Sequence, residues 1–143
     1  MVLLLAYCGL RFGEAAALRV RNVDLMRGRI RVSQSVSEVN GQQVWGTPKS
    51  HHARSVAVPR FLRDLLTEQM AGKGPEDLLF ASPDGSPLRH SNLLRRTWNR
   101  ATRQVGLQAL TPHDLRHTAA SRAVDAGANV KALHRCSATP APA

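Results

Sequence analysis

Aromatic residues make up only 4% of this 143-residue chain, and just one of them, Tyr7, is a tyrosine. So few rings exclude the stacking platforms on which single-strand nucleic-acid binders hold bases. Cysteine is scarcer still. Cys8 sits in an apolar run and Cys136 near the end, with no paired spacing, so neither a disulfide framework nor a zinc site is indicated and a reducing cytoplasm is the expected setting. Long apolar runs are missing too: residues 1–5 are too short for a membrane span and lack the basic region and cleavage site of a signal peptide. Acidic residues are outnumbered, 10 against 20 Lys and Arg, for a net charge of +10. Among the basic residues only three are Lys and seventeen are Arg, a skew that GC-rich coding explains as readily as selection does. The positive charge is spread along the chain. A polyanionic partner is its simplest reading, a merely basic soluble protein the alternative that charge alone leaves open.

What is present fits one domain. Residues 2–8 read as the buried end of a helix broken by Gly9, and residues 12–18 as a second helix packed through Ala15, Ala16 and Leu18. Residues 29–33 alternate as a half-buried strand does, and residues 36–39 continue toward an Asn40-Gly41 turn. Residues 44–46 and 54–58 supply two more short strands, together a small antiparallel sheet. Thr47-Pro48-Lys49-Ser50-His51-His52 between them is an exposed turn with Lys49 near its tip. A helix over residues 59–70 presents Leu62, Leu65 and Leu66 on one face. Residues 82–87 are a loop by composition. Residues 91–105 form a basic amphipathic helix with Leu94, Trp98 and Val105 inward and Arg95, Arg96, Arg100 and Arg103 outward. Pro112 opens a helix that runs to about residue 126, Gly127 stops it, and Asn129 starts another. Residues 134–143 have no helical period and end in a Pro and Ala tract.

Two segments carry candidate chemistry. His113-Asp114-Leu115-Arg116-His117 places an imidazole, a guanidinium and a second imidazole on one helix face, where one phosphate could touch the first two; a solvated polar face is the alternative. Arg11 follows the Gly9 break, near a helix start whose amides favour an anion, with Glu14 one turn later to orient it; local capping is the alternative. For Arg95, Arg96, Arg100 and Arg103 a solvated face is favoured over DNA phosphate contact. His51, His52 and His90 read as ordinary loop histidines.

In combination, the Gly-Leu-Arg-x-x-Glu segment at Arg11, the Thr-x-Lys turn at Lys49 and His-x-Leu-Arg-His at 113–117 resemble, in that order, the catalytic domain of tyrosine recombinases of the phage-integrase family. The resemblance spans residues 1–133. It implies an α+β fold, mainly a helical catalytic core with a small three-stranded antiparallel sheet. The activity it implies is site-specific recombination or integration of double-stranded DNA by strand breakage and rejoining, without cofactor or metal. By the resemblance, Arg11 and Arg116 grip the scissile phosphate, Lys49 protonates the leaving 5′ oxygen, and His113 assists proton transfer and charge stabilisation. Glu14 and His117 support them. Family members act as tetramers on DNA, which this shorter chain is not expected to form.

The departures are equally specific. After Gly127 the family continues with a helix, a Leu-Gly-His segment and a tyrosine nucleophile, none of which follows here. Tyr7 lies before Arg11, where the family has core residues, so this chain alone is expected to be inactive. The codons of residues 134–140, read from the third base of the His134 codon, permit Ser-Met-Leu-Gly-His-Ala-Ser, which points to a shifted reading frame in a non-family tail; the gene's nucleotide sequence decides it. The family also carries a core-binding domain and further helices ahead of the Met1 position, and their loss is expected to expose apolar surface and lower stability. Two other classes stand beside the recombinase fragment. One is a non-catalytic DNA-binding regulator or inert remnant. The other is a nuclease or topoisomerase relative, which would need a nucleophilic tyrosine that is not there.

Overall fold

The computed structural model describes residues 1–48 and 52–125. Lys49, Ser50 and His51, the helix expected from Asn129 and the tail from His134 all lie outside the described residues.

Helix α1 (Val2–Cys8) buries Leu4, Leu5 and Cys8 and ends at Gly9. That residue adopts the left-handed conformation (φ 64°) that glycine takes without a Cβ penalty. The short helix α2 (Phe12–Ala16) follows, with Ala15 and Ala16 fully enclosed and Ala17 and Leu18 continuing the buried run. Gly13 is required there, since a Cβ on it would stand 2.3 Å from the carbonyl oxygen of Val36. The close approach seats strand β3 (Ser35–Val39) directly on α2.

Among the described residues, five strands form two sheets. Strands β1 (Val23–Asp24), β2 (Arg29–Val32) and β5 (Arg54–Ala57) make an antiparallel sheet in the order β1-β2-β5, with Ile30 opposite Val56. β3 pairs instead with β4 (Gln42–Gly46) in a separate hairpin. Asn40 (φ 49°) and Gly41 (φ 76°) turn it, the two positive φ values that an Asn-Gly hairpin turn supplies. The expected single sheet containing residues 44–46 is thus corrected. The tight turn commits β4 to β3, and the two-residue β1, too short to show a period, takes the place beside β2. Within β2 the alternation holds: Ile30 and Val32 face the core while Arg29 and Arg31 face solvent.

The core joins α1, the inner face of β2, Leu79, and Leu62 and Leu66 of helix α3 (Arg60–Met70). Leu65, expected inward, is 47% exposed. It lies at the rim of a cleft of about 400 Å³ between α1 and α3, with Leu3 across from it and Phe80 in the lining. Val2, Leu3 and Phe61 on this side are also partly exposed.

The basic helix begins as α4 (His90–Leu93), passes through a wide π turn (Leu94–Trp98) and continues as α5 (Asn99–Gln104). One turn after Trp98 the buried partner is Thr102, and α5 ends at Gln104, with Val105 at its C-terminal cap. Val105, expected inward, is 67% exposed. The Trp98 indole N–H donates to the Leu110 carbonyl at 2.8 Å and fixes the loop leading to helix α6 (Pro112–Asp125). At its start the Asp114 carboxylate accepts from both the Thr111 amide and hydroxyl at 2.7 Å. These bonds satisfy amide groups that a helix start leaves open. α6 packs lengthwise on α1, with Leu115 against the core and the Arg122 guanidinium 4.6 Å above the Tyr7 ring.

Candidate active site

The site grows from the corner after α1. Gly9 reverses the chain, Leu10 is buried as an anchor, and Arg11 becomes the N-cap of α2 in extended conformation. A charged carboxylate sits beneath it. Glu14 is 1% exposed, and both of its oxygens are engaged. Its Oε2 accepts the Arg11 amide at 2.8 Å and the Arg54 Nη2 at 2.6 Å, and its Oε1 accepts the Arg54 Nη1 at 2.7 Å. The Arg11 guanidinium reaches Oε1 only at 3.4 Å. Burial pushes the Glu14 carboxyl up. The hydrogen bonds from Arg54 and from the Arg11 amide, with the charges of the two arginines, outweigh that effect and hold it below the usual carboxylate range. Of the amides at this helix start, that of Arg11 is therefore committed to Glu14.

α6 brings the second segment to this corner. A Cβ on Gly9 would lie 3.5 Å from that of Ala119, so the two backbones meet two residues before Arg11. Arg116 stands one helical turn before Ala119 and is partly buried. His113 and His117 flank it on the exposed side, their rings edge to face at 5.1 Å between centroids. The α1–α6 contact thus brings the chain just before Arg11 against α6 one turn after Arg116. Lys49 lies outside the described residues, in the segment between β4 and β5.

The structure adds two residues to the neighbourhood. Arg54 was not singled out from the sequence; the only signal was its place at the inward-turning start of the strand after the Lys49 turn. His90, read as a loop histidine, begins α4 and packs edge to face on Phe12, the residue after Arg11, at 4.9 Å. Arg95, Arg96, Arg100 and Arg103 are exposed on the outer helix face, and none makes an ion pair among the described residues. Tyr7 packs on Phe61 at 4.8 Å and under Arg122, within the apolar framework. No group of three or more His, Cys, Asp or Glu that could hold a metal gathers among the described residues. No helix among them is long and apolar enough to cross a membrane.

A mainly helical α+β domain that presents one arginine over a buried carboxylate, next to a helix carrying His-x-x-Arg-His, is chemically suited to a phosphate. The sequence matches the phage integrase family over residues 1–138, and the chain belongs to that family. It is 33% identical over 138 residues to the integrase of Mycobacterium phage L5, covering 91% of this chain and 37% of that protein. It is equally 33% identical over 138 residues to the putative prophage phiRv2 integrase of Mycobacterium tuberculosis H37Rv, covering 92% and 36%. In structure it is similar to the Tn1549 transposon integrase in complex with transposon right end DNA: TM-score 0.81, 22% identity, 94% of this chain and 48% of that one. It also resembles XerA recombinase, with TM-score 0.68, 24% identity and coverage of 92% and 44%. The structural likeness establishes the α+β recombinase fold. The chain spans little more than a third of the length of the phage and prophage integrases it matches.

Proposed function

We propose that this chain is the phosphate-gripping part of a site-specific DNA recombinase, acting on double-stranded DNA in the cytoplasm. Arg11 and Arg116 hold two non-bridging oxygens of one phosphodiester, where planar guanidinium groups make paired, charge-assisted bonds. His113 stands beside them to move a proton and stabilise the charge of the in-line transition state. Lys49 protonates the leaving 5′ oxygen, Glu14 orients Arg11, and His117 buttresses His113. The four-arginine face of α4–α5 supplies a lesser, sequence-independent contribution along the DNA backbone.

The chain does not exchange strands by itself. Covalent phosphotyrosyl chemistry needs a tyrosine at the phosphate, and the single tyrosine is packed between Phe61 and Arg122. That packing is also what favours the second reading, a DNA-binding competitor for a recombination site.

The observation that carries the reading is the meeting of Gly9 and Ala119, which joins two motifs about a hundred residues apart. The test is fluorescence anisotropy with a labelled duplex at several salt concentrations. Binding should weaken steeply with salt, and Arg11→Ala and Arg116→Ala should each flatten the log–log slope by about one counterion. Slopes unchanged in both variants would overturn the proposal.

A further inference from the structure

The strongest ion pair in the region belongs to a residue with no role in the reading above. Arg54 grips both oxygens of Glu14 at 2.6 and 2.7 Å, with its side chain 15% exposed, whereas the Arg11 guanidinium touches the same carboxylate at only 3.4 Å. We propose that Arg54 is a positioning residue: it satisfies the buried Glu14 carboxylate so that the Arg11 guanidinium stays available to a phosphate, and it ties the strand leaving the Lys49 turn to the same corner. The inference rests on the assignment of Arg11 as a phosphate ligand.

Arg54, Glu14 and Arg11 together carry one net positive charge, and that surplus sits on Arg11, whose side chain is 23% exposed. Glu14 is 1% exposed and cannot turn to water. A buried carboxylate deprived of its main cation takes the nearest other one. Without Arg54 that cation is Arg11, only one helical turn away. Pulled into a two-pronged pair with Glu14, Arg11 would lose both its free donors and its net charge toward a ligand. Arg54 also opens β5, pairs with Val32 of β2 and bonds to an element 40 residues earlier. The start of β5 is thereby held to α2 at one point, and a shift of that strand is transmitted to the corner.

The experiment is calorimetric titration of the purified chain with orthovanadate, a probe that adopts the geometry of phosphoryl transfer, with inorganic phosphate as a weaker second probe. Near-ultraviolet circular dichroism of Trp45 and Trp98 monitors folding. Arg54→Met should weaken vanadate binding on the order of tenfold, since one unit charge is cancelled close to the anion. Arg54→Lys, which keeps the charge without the fork, should fall between that variant and the parent. The deciding protein is Glu14→Gln combined with Arg54→Met. With no carboxylate left to capture Arg11, its affinity should return to within about threefold of the parent. This neutral pair also keeps the test open should Arg54→Met alone fail to fold.

Parent-like affinity in Arg54→Met overturns the proposal. So does a double variant that binds as weakly as Arg11→Met, because Arg54 would then touch the anion itself or serve the fold alone. A parent protein that binds vanadate with an affinity unaffected by Arg11→Met sinks the assignment of Arg11 instead.

Discussion

Replacing Gly13 with alanine sets two opposing terms against each other. In an isolated helix the change is favourable by about 1 kcal/mol, since glycine is the poorer helix former. In the folded chain the new methyl would lie 2.3 Å from the Val36 carbonyl oxygen and 2.8 Å from the Ser35 hydroxyl. The first separation is roughly 0.7 Å inside the closest approach that real Cβ atoms tolerate. The obstruction is backbone, not a flexible side-chain end, so β3 must withdraw, and with it Val36, buried against Ala16 and Ala17. Overpacking of this kind costs about 1–3 kcal/mol. A net loss of up to about 2 kcal/mol remains after the propensity gain. Urea unfolding followed by tryptophan fluorescence measures it, and Trp45 on β4 should change its environment before the main transition. A variant more stable than the parent by about 1 kcal/mol would show that propensity wins, and that the hairpin does not rest on α2 as described.

Other consequences can be checked separately. Because folding holds Glu14 below its ordinary value of 4.5, the stability it contributes is complete above about pH 4.5 and is lost as pH falls through the lower folded value. Glu14→Gln should therefore cost about 2–4 kcal/mol at neutral pH, where it strips the charged partner from Arg54, and progressively less in acid, as urea melts across pH 3–7 would show. Burial pushes the Cys8 thiol up to about 11, so a thiol reagent near neutral pH should label it only as the chain unfolds. Ala119→Leu inserts three carbons where α6 meets Gly9 and should weaken duplex binding more than tenfold while costing about 1–3 kcal/mol in stability; undiminished binding would separate α6 from the phosphate site.

Elements with a strong local period were legible in the sequence. The α1 break at Gly9, the alternation of Ile30 and Val32, the Asn40-Gly41 turn and the Pro112 helix start all stand where the residues indicate. What the period could not give was partner choice. β1 has two residues, and its place beside β2 follows from pairing 5–7 residues away, with no pattern of its own. Val105 was misjudged because α5 ends at Gln104 and leaves it at the C-terminal cap before Gly106, where helical spacing no longer sets its direction. Leu65 obeys the helical period yet faces a cleft, since the period reports a face and not what covers it. Arg11, Glu14, His113, Arg116 and His117 were legible as candidates because their spacing within each motif is local. Arg54 was not, because its importance comes from a carboxylate 40 residues away that only folding brings within reach.

A crystal structure of the chain with bound orthovanadate would probe the account most directly. Density for one anion contacted by the guanidinium groups of both Arg11 and Arg116, with His113 within hydrogen-bonding distance, is the predicted result. An anion held by only one of the two arginines, with the other turned to a different surface, would contradict it.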